Sequence, residues 1–374
     1  MVRASTWFVL LCLKMTIKNF HIEYDAINSK NTFTSGDTIN GRIILETDKE
    51  IVVQSLDFEA KGKARVRWTE HRGQNHRGHN YHGQSNTQIY WAKEKYYSIK
   101  QKILREARQD GSEVIGIGRH VFPFSFKIPD GHMPSSFASH IGKIVHKMKA
   151  ELRQSMKLTK KAEIHFIFVS KTDMNRPGLM DPQHGCQDKS LAFGSGKVSL
   201  DAHITKMGYK PGEPINVTVE IINRSSRSVK PKFQLYEKRS YFAQGRRKLE
   251  THTILKEKGD DVDSSSSKNT VTKGIGLPST LSPSILNCSI IKLEYRLKIY
   301  LDIKYAADPE VKLPIVILNE KTADRQLPPS GAFGFEAFGN PNHPTMPQAV
   351  DLPPPYEASA MYPPLPSADF KSTL

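Results

Sequence analysis

Cysteine is nearly absent: Cys12, Cys186 and Cys288 are the only three in 374 residues, each more than 100 positions from the next. No C-x-x-C pair, zinc-knuckle spacing or disulfide framework can be built from them, so the chain reads as one made for a reducing compartment. Long apolar runs are missing too. Trp7 to Leu13, preceded by Arg3, is too short to span a bilayer. No small-residue cleavage site follows it before Lys14, so it makes a poor signal core despite sequons at Asn216, Asn223 and Asn287, and Met15 offers an alternative start. Acidic residues are outnumbered, 38 against 54 Lys and Arg, giving a formal charge of +16 and a pI near 9.5. With 38% hydrophobic residues and a mean hydropathy of −0.49, the chain is no polytopic membrane protein, yet it retains enough apolar surface for two cores.

Catalytic signatures are missing as well. Gly194-Ser-Gly196-Lys197 continues with Val198 and lacks the earlier glycine of a phosphate-cradling loop. Gly116-Ile-Gly118 reaches Val121 where a dinucleotide fingerprint needs a third glycine. There is no G-x-S-x-G elbow and no H-E-x-x-H pair. The expectation is a protein that is not an enzyme and needs no cofactor. Nucleic acid would suit the charge, but no stacking platform or recognition motif accompanies it, so no nucleic-acid partner is expected.

What is present is β-forming sequence and proline. Runs rich in β-branched and aromatic residues recur between turn signals at Ile39 to Leu45, Ile51 to Phe58, His120 to Ile128, Ile141 to Leu152, Ile164 to Val169, Val198 to Ile204, Ile215 to Ile222, Lys230 to Tyr236, Ile290 to Tyr305 and Leu313 to Leu318. Such spacing predicts antiparallel β-sandwiches. Glu94 to Arg108 alone reads as helical, with Tyr97, Ile99, Ile103 and Leu104 partly on one face. Of the 23 prolines, 11 fall between Lys321 and Leu374, a segment with five acids, three bases and little apolar periodicity. It is expected to be a disordered tail whose Pro-rich stretches sample the polyproline conformation.

An internal repeat sets the domain count. Phe33-Thr-Ser-Gly36-Asp37-Thr-Ile39-Asn40 aligns, 176 residues on, with Tyr209-Lys-Pro-Gly212-Glu213-Pro-Ile215-Asn216. Pro134 through Leu152 matches Pro283 through Leu301 with six identities in nineteen positions at an offset of 149. The chain is therefore read as two duplicated sandwiches, the first carrying 27 extra residues, with the polar stretch around His71 to Gln88 and the helical-looking segment after it as their place.

The order of Gly118-Arg-His120-Val-Phe122-Pro123-Phe124-Ser-Phe126, the two Gly-Asp/Glu turns, Asn223-Arg-Ser-Ser-Arg227-Ser-Val-Lys-Pro231, Ser289-Ile-Ile-Lys-Leu-Glu-Tyr295 and Leu313-Pro-Ile-Val-Ile317 resembles the arrestin family, more narrowly its arrestin domain-containing or α-arrestin branch. The resemblance implies an all-β chain of two tandem immunoglobulin-like sandwiches, at 15–171 and 197–320, between an apolar extension (1–14), a linker (172–196) and the tail (321–374). It also implies a cytoplasmic adaptor, associating with plasma membrane and endosomes, that joins membrane receptors or transporters to WW-domain HECT-type ubiquitin ligases for ubiquitination and endocytosis. The rival expectations are a coat-like trafficking scaffold independent of the tail and a regulator of soluble signalling or redox proteins.

Candidate site residues follow. Pro353, Pro354, Pro355 and Tyr356 form a Pro-Pro-x-Tyr motif. A WW domain accepts such a segment because polyproline is already extended, while aromatic rings clamp a proline and a pocket takes the tyrosine. Pro363, Pro364, Leu365 and Pro366 suit a second class of WW domain, although Tyr362 precedes its prolines. Arg224, Arg227, Lys230, Lys232, Lys238, Arg239, Arg246, Arg247 and Lys248 are the densest basic segment, expected either to meet phosphorylated receptor tails or an anionic membrane surface or to remain a solvated face. His71, His76, His79 and His82 read as a solvated hairpin loop, so no metal site is expected. Cys288 reads as a buried thiol, which does not support the redox-active cysteine that the resemblance implies for one relative. Asp260 to Leu281 reads as a loop, with a kinase site as the alternative at Ser264 to Ser267.

Overall fold

The structure, a computed structural model, describes residues 16–72, 86–104, 113–171, 176–191 and 196–319. Every regular element among them is a strand. The first half contributes β1 (Ile17–Tyr24), β2 (Thr32–Phe33), β3 (Thr38–Thr47), β4 (Ile51–Arg72), β5 (Asn86–Leu104), β6 (Glu113–Ile115), β7 (Gly118–Lys127), β8 (Phe137–Ala138), β9 (Gly142–Gln154) and β10 (Lys160–Phe168). The second half contributes β11 (Gln183–Ser190), β12 (Gly196–Ile204), β13 (Gly208–Tyr209), β14 (Pro214–Ser225), β15 (Lys230–Ala243), β16 (Arg246–Lys258), β17 (Ser266–Gly276), β18 (Ile291–Asp302) and β19 (Glu310–Ile317). Sheet order β1-β3-β7 faces β2-β10-β9-β4-β5, and β11-β12-β14-β17 faces β13-β19-β18-β15-β16.

Alternation explains why each sheet has one dry face. In β9, Ile144, Met148, Ala150 and Leu152 are buried while Lys143, Lys147 and Lys149 between them are not. Across the first core, Phe58 stacks on Phe124 at 4.3 Å and Phe33 meets Phe166 edge-on at 5.7 Å.

The repeat is preserved down to individual hydrogen bonds. Gly36 and Gly212 adopt φ of +84° and +82°, a left-handed turn that glycine enters without steric cost. In the first turn the Thr34 amide donates to the Asp37 carboxylate at 2.9 Å; in the second the Lys210 amide donates to Glu213 at 2.9 Å. Each turn leaves a two-residue strand pairing in parallel, β2 on β10 and β13 on β19, so the sandwiches are not wholly antiparallel. β9 and β18 keep the offset of 149, but Ser136, which exchanges backbone and hydroxyl bonds with Phe168, corresponds to Ser284, which does the same with Ile317. The Pro-Ser match therefore slips by one residue, because the second copy has one more residue between serine and strand.

Three expectations change. The helix at Glu94 to Arg108 is β5 as far as Leu104; a bulge opposite Gly62 and Lys63 turns Tyr96 and Tyr97 both toward packed surroundings, which mimics a helical stripe. The linker holds β11, a polar edge strand whose ladder to β12, not a buried face, fixes it. The loop at Asp260 to Leu281 holds β17, paired along β14 from Pro214↔Gly276. Residues 1–14, most of the His-rich stretch and the tail at 321–374 lie outside the described residues.

Candidate functional site

The Pro353, Pro354, Pro355, Tyr356 motif and the Pro363 to Pro366 segment lie outside the described residues, so the site with geometry is the body of the two sandwiches. His71 lies one residue before the end of β4 opposite Thr87, whose hydroxyl lies 3.2 Å from Nδ1; His76, His79 and His82 lie outside the described residues. Gly116 and Gly118 border a strand entry, with His120 Nε2 on the Gly116 carbonyl at 2.9 Å, and no helix follows to hold a phosphate. Among the described residues no cluster of His, Cys, Asp and Glu is arranged to bind a metal, and no helix is long and apolar enough to cross a membrane.

The nine basic residues of the second half do not share one face. Arg224 projects from β14, where Asn223 is buried and donates to the Arg227 and Asp263 carbonyls at 2.8 Å each, so the Asn-Arg-Ser-Ser-Arg motif is a folded turn. Arg227 reaches across to the Lys304 carbonyl at 2.7 Å. Lys232 and Lys238 stand on the outer face of β15, whereas Arg239 has the opposite parity and lies 6.0 Å from the Phe137 ring of the first sandwich. Four are neutralised: Lys230 by Asp261 at 3.2 Å, Lys232 by Asp302 at 2.5 Å, Lys238 by Glu294 at 3.5 Å and Arg239 by Glu237 at 2.5 Å. Arg247 donates to the Ser240 hydroxyl at 2.8 Å and lies over Phe242. Arg224, Arg246 and Lys248 have no carboxylate within 4.0 Å among the described residues.

The feature that sequence reasoning missed is the junction between the sandwiches. Val66, Trp68, Tyr90 and Ile144 of the first half join one buried cluster with Tyr241, Ile291 and Leu293 of the second. Gly142 makes that approach possible, since a Cβ there would meet Ile291, Val66 and Tyr241 at 3.0 to 3.1 Å. Polar bonds fix the register of the contact. Tyr241 donates to the Ser139 hydroxyl at 2.9 Å, and Glu94 accepts from the Ser289 amide at 2.9 Å and its hydroxyl at 2.5 Å. Tyr96 donates to Cys288 Sγ at 3.2 Å. Burial pushes the Cys288 thiol up, and Glu94 nearby acts in the same direction, so the sulfur is held protonated and unreactive. Cys186 is the exposed thiol of the pair on the described residues.

Two sandwiches of matching topology, joined through a shared buried apolar cluster, agree with what known proteins show. The arrestin (or S-antigen) N-terminal domain matches residues 20–175 and the arrestin C-terminal domain residues 194–322. The chain belongs to the arrestin family. Arrestin domain-containing protein 4 of Mus musculus is 30% identical over 292 residues, covering 77% of this chain and 69% of that protein. The Homo sapiens arrestin domain-containing protein 4 is 28% identical over 316 residues, 84% and 71% of the two chains. Homo sapiens thioredoxin-interacting protein is 25% identical over 343 residues, 88% of this chain and 83% of that one. Within the arrestin family the chain stands with the α-arrestins, and arrestin-family proteins are non-enzymatic adaptors.

Proposed function

We propose that this α-arrestin is a cytoplasmic adaptor that holds a membrane receptor or transporter with its sandwiches and presents Pro353, Pro354 and Tyr356 to a WW-domain HECT-type ubiquitin ligase. The cargo is then ubiquitinated, internalised and sorted at plasma membrane and endosomes. Catalysis belongs to the ligase; the adaptor raises the effective concentration of cargo beside it. The observation that carries this reading is sequence order: an arrestin N-terminal and C-terminal domain pair followed by Leu352-Pro353-Pro354-Pro355-Tyr356-Glu357 in a proline-rich tail. Pro363 to Pro366 adds a weaker second contact.

Calorimetry of the full chain with a tandem WW fragment tests it. Tyr356→Ala is expected to abolish the heat of binding and leave the melting temperature unchanged, because the phenol has its own pocket in the WW groove. Phosphorylation of Tyr356 is expected to weaken binding, since a dianion does not fit an apolar pocket. Unchanged binding of Tyr356→Ala would discard the tail mechanism. A thioredoxin-type role draws no support from Cys288, which is 2% exposed and held protonated.

A further inference from the structure

A row of unneutralised charge lies on the first sandwich, outside the segment that sequence reasoning chose. On β4 the buried Ala64, Val66 and Trp68 alternate with outward Lys63, Arg65 and Arg67. The register places Lys93 and Lys143 on either side of Arg65, and Lys95 opposite Lys63. None of Lys63, Arg65, Arg67, Lys93, Lys95 and Lys143 has a carboxylate within 4.0 Å among the described residues. Elsewhere on the same face Lys61, Lys147 and Lys149 are paired with Glu59, Glu163 and Glu151. Like charges directly opposite one another across strands destabilise a sheet. The crowding is felt at Lys63, whose ammonium is pulled below its ordinary range by burial and then by Lys147, Lys61, Lys93 and Arg65. The outer face of β5 continues past Lys93 into Trp91, 59% exposed and opposite Arg67, and Ile89, 41% exposed.

We infer that this outer face of the β9-β4-β5 sheet is a docking surface for an anionic membrane leaflet, with the six cations on lipid phosphates and carboxylates and Trp91 and Ile89 at the headgroup boundary. Cations beside an exposed tryptophan and isoleucine match what a peripheral membrane surface needs, because anionic headgroups meet the charges while the interface accepts amphipathic indole. An acidic peptide would answer the charges and leave Trp91 and Ile89 without a role. The inference stands apart from the ligase reading, since nothing in it uses the tail.

Flotation of the full chain with vesicles of phosphatidylcholine, with and without about one-third phosphatidylserine, tests it. The unaltered chain is expected to bind only the anionic vesicles and to lose that binding as salt rises. Lys63→Gln, Arg65→Gln, Lys93→Gln and Lys95→Gln together are expected to lower partitioning by roughly a hundredfold or more. Thermal stability of that variant is expected to be equal or higher, because like-charged neighbours have been removed. Trp91→Ala is expected to give a smaller, salt-independent loss, and Arg246→Gln with Lys248→Gln little change. Equal binding by the fourfold variant, equal loss from the second-sandwich pair, or capture of a soluble phosphoserine peptide with no partition onto vesicles would overturn the assignment.

Discussion

Mild acid should destabilise the fold by about 2 kcal/mol through one buried imidazole, His146. His146 is 1% exposed on β9, stacked on Phe168 at 4.4 Å and flanked by Tyr97 and Phe166. Its Nε2 faces the Pro134 carbonyl at 3.3 Å, an acceptor, so that nitrogen carries the proton. Nδ1 is then the acceptor for the Tyr97 hydroxyl at 3.2 Å. Gly62 across the strand leaves room for both rings, since a Cβ there would meet Tyr97 at 2.5 Å and His146 at 3.0 Å. The neutral ring is therefore fully bonded, and a second proton would be buried with no carboxylate beside it. Burial accordingly drives the His146 pKa down to about 4.

The sign follows from which state takes up protons. Above the unfolded value near 6.5 both states hold a neutral ring and nothing is lost. As pH falls below about 6.5 the unfolded chain binds a proton that the fold refuses, so stability declines until the folded value near 4 is reached. At pH 5 the loss from this ring is about 2 kcal/mol. Urea titrations at about pH 7.5 and pH 5 measure it, comparing the unaltered chain with His146→Phe combined with Tyr97→Phe, which leaves no hydroxyl without its partner. Carboxylate contributions are common to both proteins and cancel, so the unaltered chain should lose about 2 kcal/mol more than the variant. Equal losses, or a His146 ring resonance titrating near 6.5 in the folded protein, would refute the reasoning.

The repeated glycine turns and the junction give two further expectations. Gly36→Ala and Gly212→Ala each force a side chain into a left-handed turn and should cost about 1–2 kcal/mol. The cost should be larger at Gly36, where the added Cβ would meet Asp130 Oδ1 at 2.6 Å and disturb the Lys127 pair, than at Gly212, where the nearest atom is 3.7 Å away; urea midpoints compare them. Glu94→Ala removes the acceptor for the Ser289 amide and hydroxyl, so native Cys288 should label faster with a thiol reagent, whereas exposed Cys186 labels at once in either protein. Unchanged Cys288 labelling would mean that Glu94 does not close the junction.

The sequence made the turns and the central strands legible because both are local. A glycine that must go left-handed, followed by an acid that takes a backbone amide, leaves the same trace at Gly36 and Gly212. β9 and β18 alternate along their length, and strands of that kind declare themselves. The failures are non-local. β11 reads Gln-His-Gly-Cys-Gln-Asp-Lys-Ser, with no buried face to show, and exists because β12 offers it a ladder. β5 was obscured by a bulge that depends on its partner strand. Charge density along the chain pointed to the second sandwich, but neutralisation is a property of space: Asp302, Glu294 and Asp261 arrive from other strands and turns to cancel Lys232, Lys238 and Lys230. The row of Lys93, Arg65 and Lys143 is scattered over β5, β4 and β9, and no window along the sequence contains it.

That scatter ties the surface to the junction. Most of what distinguishes the first copy from the second lies in the longer β4–β5 hairpin, spanning Ile51 to Leu104 where β15 and β16 span Lys230 to Lys258. A strand has two faces, so lengthening the hairpin extended both. The inward residues Val66, Trp68 and Tyr90 reach beyond the first core into the cluster that contains Tyr241 and Ile291. The outward residues Arg65, Arg67, Trp91 and Lys93 follow by alternation, since each is the chain neighbour of a residue committed to that contact. The inward residues bind the sandwiches to each other, and the same packing holds the basic row rigid against its own repulsion. A chain with this overhang shortened should therefore lose the junction and the basic surface together.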